Sequence, residues 1–389
     1  MTATPVTATP VTLESRPEGV APGTAAADVL ATDLAGLRSI VAGATSDDVD
    51  RALGRRHPGL ADLAALLSPA AGARLEDLAH AAHELTIRRF GRTVRLFAPL
   101  YLSNECVSVC TYCGFSAGND IARRTLTIDE VAAEGNELRG RGFRHVLLVS
   151  GEHARIVSKD YLVDCVAALA PFLPSISVEV QVWDVATYRR LVDAGCEGLV
   201  VYQEAYDRAT YESAHVKGKK RNYDWRLAAP DRGAEAGMRR LGIGALLGLH
   251  PDWQSEALAV AAHARSLIRR WWRCEVTVSL PRLRPAAGYR PGSHVSDREF
   301  VQLLCALRIA LPDVGLTLST REAAAFRDRL VALGVTTMSA GSHTEPGGYA
   351  APSAAEPQFE IADTRSPEEI VSMLRAAGYD PVWKDWQRV

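Results

Sequence analysis

From about residue 93 onward, short apolar runs alternate with amphipathic stretches along this chain. The runs are Leu96 to Leu102, His145 to Ser150, Ile176 to Val182, Gly198 to Tyr202, Ile243 to Leu249, Glu275 to Leu280, Gly315 to Ser319 and Thr336 to Ser339, and each predicts a strand. Helical periodicity covers 127–140, 158–170, 184–194, 231–240, 253–272, 296–310 and 321–333, with 366–377 after the last run. Thr127 followed by Glu130 is a capping box at the first of these helices. Gly142, Gly195, Gly242 and Gly334 fall just past helix ends, where a left-handed residue is favoured. Strand and helix in alternation imply parallel strands joined by helical crossovers. The fold class is α/β, and eight such units suit a closed (β/α)8 barrel of the TIM type. An open or partial barrel competes with it, because the eighth run is short.

Two segments precede the barrel pattern. Residues 1–30 hold the tandem TATPVTATPV and little apolar bulk, and are expected to form a disordered tail. Residues 31–92 carry helical patterns broken by Pro58 and by Ser68-Pro69, and are expected to form a helical N-terminal extension. Residues 93–389 then make the barrel and its C-terminal segment.

Composition narrows the class. With 389 residues, 47% of them hydrophobic, the chain can bury a large core. A formal net charge of −2 gives no broad footprint for nucleic acid. The N-terminus lacks a basic region followed by an apolar run, so no signal peptide is expected. No apolar stretch is long enough to span a bilayer, and a cytoplasmic enzyme is expected. Seven cysteines, an odd number, argue for a reducing compartment and against a disulfide framework.

Three of the cysteines crowd together as Cys106-Val-Ser-Val-Cys110-Thr-Tyr-Cys113, directly after the first predicted strand. Three thiolates at this spacing can ligate three irons of a 4Fe–4S cubane and leave the fourth iron open. The amino and carboxylate groups of S-adenosylmethionine (SAM) can chelate that iron. Zinc is disfavoured because its structural sites use four ligands and no fourth Cys or His lies nearby. Tyr112 can cover the adenine side of the cofactor. Cys165, Cys196, Cys274 and Cys305 are isolated and read as ordinary buried residues.

In a barrel of this kind the chemistry sits at the C-terminal ends of the strands. Glu152, in Ser150-Gly-Glu-His153, can bind the SAM ammonium, or sit in a plain turn. Glu179 and Gln181 share one face of the third strand, towards the barrel interior or towards solvent. Glu204 ends the fourth, where it can contact SAM or cap a helix. His215-Val-Lys-Gly-Lys-Lys220 is a basic loop that, taken alone, reads as solvated surface. Arg282, in Pro281-Arg-Leu-Arg-Pro285, suits a rigid carboxylate or phosphate clamp, with structural ion pairing as the alternative. Arg321, after Leu318-Ser-Thr, points towards the barrel mouth and can fork onto a carboxylate. Ser339, in Ser339-Ala-Gly-Ser342, can bind an amino group or form a small-residue turn. Gly347-Gly-Tyr349 looks like a loop over the site.

On these residues the chain resembles the aromatic amino acid lyase branch of radical SAM enzymes, and within it the tyrosine lyases of thiazole biosynthesis. The resemblance runs from about residue 70 to the C-terminus. It rests on Cys106 to Phe115, Ser150 to His153, Val201 to Glu204, His215 to Lys220, Asp224-Trp-Arg-Leu227, Pro281 to Pro285, Leu318 to Glu322, Pro346 to Tyr349 and the ending Pro381-Val-Trp-Lys-Asp-Trp386. It implies that SAM lies near Glu152, Gln181 and Glu204, that Arg321 grips a tyrosine carboxylate and that Ser339 holds the amino group. It also implies cleavage of the Cα–Cβ bond of L-tyrosine, after hydrogen abstraction by a deoxyadenosyl radical, to 2-iminoacetate and p-cresol. A thiazole synthase is the implied recipient, and flavodoxin or ferredoxin the implied kind of electron donor. The hydrogenase-maturation tyrosine lyases carry a second cluster near the C-terminus, whereas this chain has no cysteine after Cys305. The tryptophan lyases that make methylindolic acid share the Ser/Thr-Thr-Arg-Glu element but generally lack the Tyr-Cys-Gly-Phe loop and the Trp-Lys-Asp-Trp ending, and they stand second. A non-catalytic iron–sulfur scaffold would be expected to have lost the cysteines or Arg321. Glu105 and the Ala/Thr/Pro-rich leader depart from the family pattern without touching a matched catalytic position.

Overall fold

The computed structural model describes residues 20–289 and 294–384. Six helices come first: α1 (Ala25–Leu30), α2 (Leu34–Gly43), α3 (Ser46–Gly54), α4 (Leu60–Leu66), α5 (Pro69–Ala73) and α6 (Leu75–Phe90). Strands β1 (Thr93–Ser103) and β2 (Val109–Cys110) follow, then α7 (Ile128–Gly140), β3 (His145–Ser150), α8 (Lys159–Leu169), β4 (Ser175–Glu179), α9 (Val185–Ala194) and β5 (Gly198–Glu204). Next come α10 (Arg208–Ala214), β6 (His215–Lys217), α11 (Tyr223–Leu227), α12 (Ala229–Ala236), β7 (Arg240–Ala245), α13 (Trp253–Arg270) and β8 (Glu275–Ser279). The chain closes with α14 (Asp297–Ala310), β9 (Gly315–Leu318), α15 (Ala324–Leu330), β10 (Thr337–Ser339), α16 (Pro367–Ala376) and β11 (Asp380–Val382).

Eight parallel strands, β1, β3, β4, β5, β7, β8, β9 and β10, pair in that order, and β10 returns to β1. Closure is through Arg95–Thr337, Leu96–Met338 and Phe97–Ser339, so the short last run completes the barrel. These strands are buried on both faces because helices cover the outside, which is why they read as near-continuous apolar runs. Side-chain caps start the helices: Thr127, Ser296 and Ser366 each form a full capping box with the acid three residues on. Such a cap stabilises its helix by about 1 kcal/mol. α14 is buried along most of its length and lies against α6, so the N-terminal extension is packed on the barrel wall.

Several expectations shift. The tail was expected to reach residue 30, but α1 is docked: Ala25 and Ala26 are fully buried, and their N–H groups donate to the Asp231 carboxylate at 3.0 and 3.2 Å. Residues 1–19 lie outside the described residues. Gly142, Gly195 and Gly334 have the expected positive φ. Gly242 instead lies inside β7, and Gly237 ends α12 with φ 104°. A Cβ at Gly242 would stand 2.9 Å from Val200, so this glycine serves strand packing rather than a helix end. β11 adds a ninth strand beside the start of β1, to which the ending contributes Pro381 and Val382. Asp385 and Trp386 of that ending lie outside the described residues. Among the described residues no helix is long and apolar enough to cross a membrane.

Candidate active site

β1 delivers the chain into the loop that carries the three cysteines. Arg123 holds this loop from beneath. Its guanidinium donates to the carbonyls of Asn104 (2.7 Å), Phe115 (2.9 Å), Ser116 (2.8 Å) and Asn119 (3.1 Å). From above, β2 pairs antiparallel with β6. Gly151 lets the turn after β3 press against the loop, since a Cβ there would stand 2.3 Å from the Glu105 carbonyl oxygen. Cys110 is buried, and Cys106 and Cys113 are half-buried. Burial pushes the Cys106 thiol up to about 11, and it raises Cys110 and Cys113 as well.

The end of β5 supplies a buried charge network. Glu204 accepts from Lys220 at 2.7 Å and lies 3.7 Å from Arg226, while Arg226 reaches Glu152 at 3.1 Å. Burial alone would raise the Glu204 carboxyl, but Lys220 and Arg226 together hold it below its usual value. Two acids and two bases leave the network neutral, and removing one partner of such a buried pair costs about 3–5 kcal/mol. Glu204 has φ 71°, the sole positive φ at a non-glycine among the described residues. A left-handed non-glycine costs about 1–3 kcal/mol and concentrates at functional sites. His215 Nδ1 donates to the Tyr211 carbonyl at 2.7 Å, so Nε2 accepts from the Tyr112 hydroxyl at 2.8 Å. Burial, and then the Lys220 charge, hold this imidazole neutral, at about 3.

A cavity of about 910 Å³ opens at the C-terminal end of the barrel. It brings Cys113, Tyr112, Glu204, Lys220, Glu179, Arg321 and Ser339 to one space. The Arg321 guanidinium stacks on Phe359, 3.4 Å from the ring centroid, and meets no carboxylate within ion-pair distance among the described residues. Burial lowers its pKa. Glu179 ends β4, and burial, then the Glu204 charge, push its carboxyl up to about 7. Ser339 Oγ accepts the Thr320 N–H at 3.1 Å, which leaves its hydroxyl proton to donate elsewhere. Gln358 ties the cover of the cavity to the cysteine loop: its carbonyl accepts from Gly114 N–H at 3.0 Å, its Oε1 accepts from Tyr101 at 2.8 Å, and its Nε2 faces Cys113 Sγ at 3.7 Å.

Several expected elements stay outside this space: Glu152, Gln181, Arg282 and the loop at Gly347-Gly-Tyr349 are not among its lining. Arg282 is not a clamp at the mouth. Its guanidinium is committed to Glu322 and Asp297, the latter at 2.8 Å, and it lines a separate cavity, because Pro281 turns towards the site and Arg282 away from it. The loop at Gly347-Gly-Tyr349 does not cover the site. Tyr349 is buried beside β1, donating to the Pro99 carbonyl at 2.7 Å, and Gln358-Phe359 covers the cavity instead. Gln181 is buried just past β4 with its Oε1 unpartnered among the described residues. Sequence reasoning had left the basic loop as surface and Arg226 without a role. The signal available for both was their place in the family motifs.

A cluster and SAM fit these residues. Among the described residues no three His, Cys, Asp or Glu side chains converge on a single ion. The three thiols still lie within electrostatic reach of one another. A cubane does not require them to converge on one ion, because each thiolate would take a different iron. Ligation would reverse the raised thiol pKa values, since metal-bound thiols are deprotonated. Ser342 Oγ, which lines the cavity, is buried without a hydrogen-bond partner among the described residues, as are Ser150 Oγ at the end of β3 and Gln181 Oε1 just past β4, and such orphaned polar atoms suit a polar ligand at this end of the barrel.

Comparison with known proteins agrees with this geometry. Residues 100–261 match the Radical SAM superfamily, and residues 279–380 match the Biotin and Thiamin Synthesis associated domain. The chain is 45% identical over 351 residues to the 2-iminoacetate synthase of Escherichia coli (strain K12), covering 90% of this chain and 93% of that protein. The FeFe-hydrogenase maturase HydG from Carboxydothermus hydrogenoformans is similar in structure, with TM-score 0.81 and 33% identity over 92% of this chain and 82% of that one. Methylornithine synthase (PylB) superposes with TM-score 0.69 at 25% identity, covering 86% of this chain and 97% of that one.

Proposed function

The chain belongs to the 2-iminoacetate synthase family of radical SAM enzymes, and from that premise we propose that it cleaves the Cα–Cβ bond of L-tyrosine to 2-iminoacetate and p-cresol for the thiazole of thiamine. The observation that carries the reading is Arg321. An unpaired guanidinium stands in the same cavity as the Cys113 thiol and is ready to take a substrate carboxylate. When bound on Cys106, Cys110 and Cys113, the 4Fe–4S cluster and SAM supply a carbon radical that removes one hydrogen atom from the substrate amine.

The rest falls to side chains of this chain. Arg321 forks onto the tyrosine carboxylate and fixes the Cα end. Ser339 and Glu179 hold the nitrogen, and Glu179 takes the ammonium proton so that a neutral amine is presented. Phe97, Leu147 and Val149 give the side chain an apolar wall. Glu152, Gln181, Glu204 and Tyr112 line the SAM side, with Lys220 and Arg226 fixing the two acids. Gln358 and Phe359 keep water from the imine, whose hydrolysis to glyoxylate is the competing loss. The imine passes to a thiazole synthase. Two electrons enter per turnover, one for SAM and one, with a proton, to quench the cresyl fragment. They come from a flavodoxin or ferredoxin in a reducing compartment, the cytoplasm.

The test is anaerobic. The reconstituted protein receives SAM, dithionite and tyrosine, and p-cresol and glyoxylate are sought by chromatography. Both products are expected, with loss in Cys113→Ala and Arg321→Ala. Deoxyadenosine without p-cresol would sink tyrosine cleavage, and tryptophan would be the next substrate offered.

A further inference from the structure

The antiparallel pair β2 and β6, beside the cysteine loop, exposes part of its surface to solvent. Val216 is 54% exposed and Val107 is 41% exposed, although most apolar side chains of the chain are buried. The pairing of Val109 with Lys217, and of Cys110 with His215, ties this segment to the cysteine loop. The two segments are in tight contact: Gly218 has φ 99°, and a Cβ there would stand 2.5 Å from Ser108 Cα. Residues 215–221 read HVKGKKR, with four cations and no acid. Lys220 turns inward to Glu204, while Lys217, Lys219 and Arg221 are exposed and take part in no ion pair among the described residues. Surface arginines elsewhere are commonly paired, as Arg74 is with Asp50 and Arg208 with Asp224. The whole chain carries a net charge of −2, so this excess is local.

We propose that Val107, Val216, Lys217, Lys219 and Arg221 form the docking surface for an acidic one-electron carrier protein that reduces the cluster held by Cys106, Cys110 and Cys113. The proposal rests on the reading that a reducible cluster sits on those cysteines. Two exposed valines ringed by unpaired cations suit a partner whose redox group lies in an apolar spot surrounded by carboxylates. At each encounter the carrier loses one electron and the cluster gains one, and no atom is transferred. Complementary charge steers such encounters and is screened by salt.

The experiment uses the reconstituted holoenzyme and flavodoxin hydroquinone as the probe. Two quantities are followed: binding of flavodoxin across ionic strength, and bleaching of the cluster absorbance. Lys217→Glu with Lys219→Glu is expected to slow flavodoxin-driven bleaching at low salt by about tenfold or more, and to weaken binding in step. Lys217→Arg with Lys219→Arg is expected to keep both. Dithionite, which needs no docking surface, is expected to bleach all three proteins equally. Equal flavodoxin-driven rates in the wild type and the charge-reversed protein would overturn the proposal. So would a charge-reversed protein that is reduced normally but no longer delivers its product to a thiazole synthase. A wild-type protein that takes up no cluster would overturn the reading beneath it, a failure seen before flavodoxin is added.

Discussion

Arg321 is half-buried, charged and without an acidic partner among the described residues, so the folded protein carries part of its desolvation cost until a carboxylate arrives. A lysine keeps the charge but loses the planar fork and the stacking on Phe359. Arg321→Lys is expected to lower kcat/KM for tyrosine by about a hundredfold, roughly 3 kcal/mol of lost transition-state binding. Slow tyrosine-independent deoxyadenosine formation should be unchanged, which separates substrate grip from cofactor loading. Glu179 gives a pH-dependent counterpart. Its carboxyl is raised from 4.5 to about 7, by burial first and by the Glu204 charge second. Below that value it is protonated and cannot take the ammonium proton, so kcat/KM should rise with pH through about 7. Glu179→Gln should lower the rate and flatten that limb. The stability sign is opposite. The folded chain keeps a proton that the unfolded chain releases near 4.5, so this group's contribution is full below 4.5 and lost as pH rises through about 7. Glu179→Gln should therefore remove one component of the fall in Tm over that window, measured on the apoprotein by calorimetry.

The antiparallel pair β2 and β6 is the smallest element of the structure and the one on which the site turns. It joins the cysteine loop to the segment that brings His215 and Lys220 inward. Gly218, just past β6, is packed tightly on Ser108, just before β2. Gly218→Ala would require a left-handed alanine and push a methyl to 2.5 Å from Ser108 Cα. The expected result is a folded barrel with far-UV dichroism unchanged, but with iron per chain after reconstitution cut to about half or less as the loop takes on a strain penalty of about 1–3 kcal/mol. Equal iron in both proteins would show that the pair does not shape the ligand set. None of this was legible in the sequence, because strands of two and three residues have no period to detect and their pairing is not local. The eight barrel strands were legible for the opposite reason: each is a largely buried run bounded by turn residues, and all but β9 are followed by a helix with a side-chain cap. That Cys106, Cys110 and Cys113 share one loop after β1 follows from their spacing alone. Arg282 was misread because its flanking prolines fix the backbone without saying which way the side chain faces, and Glu322 and Asp297 take it.

On the scale of the whole molecule, the N-terminus is tied to the barrel at a point the sequence does not advertise. Ala25 and Ala26 are too small to mark a buried face, and the stretch before them is rich in Pro and Thr, so the helix they begin was taken for tail. Its anchor lies on α12. The Asp231 carboxylate accepts from Ala25 N–H, from Ala26 N–H and, at 2.9 Å, from Trp271 Nε1 at the end of α13. Asp28 returns the tie to α13, where Arg270 and then Ser266 hold its carboxyl well below the usual range. Asp231→Ala leaves three donors without their acceptor, and each buried donor so orphaned costs about 1–3 kcal/mol, less whatever water recovers. A loss of about 2–4 kcal/mol is expected in urea unfolding, with a smaller m-value if α1 leaves the surface before the barrel unfolds. Iron uptake should not follow that loss. The loop after Glu204 is held independently by Glu256, also on α13, which accepts from Tyr206 N–H at 2.7 Å and Asp207 N–H at 3.0 Å. A variant that loses stability and keeps its iron would show that α1 braces the barrel wall without shaping the site. One that loses both in proportion would mean that α13 transmits the N-terminal tie to the end of β5.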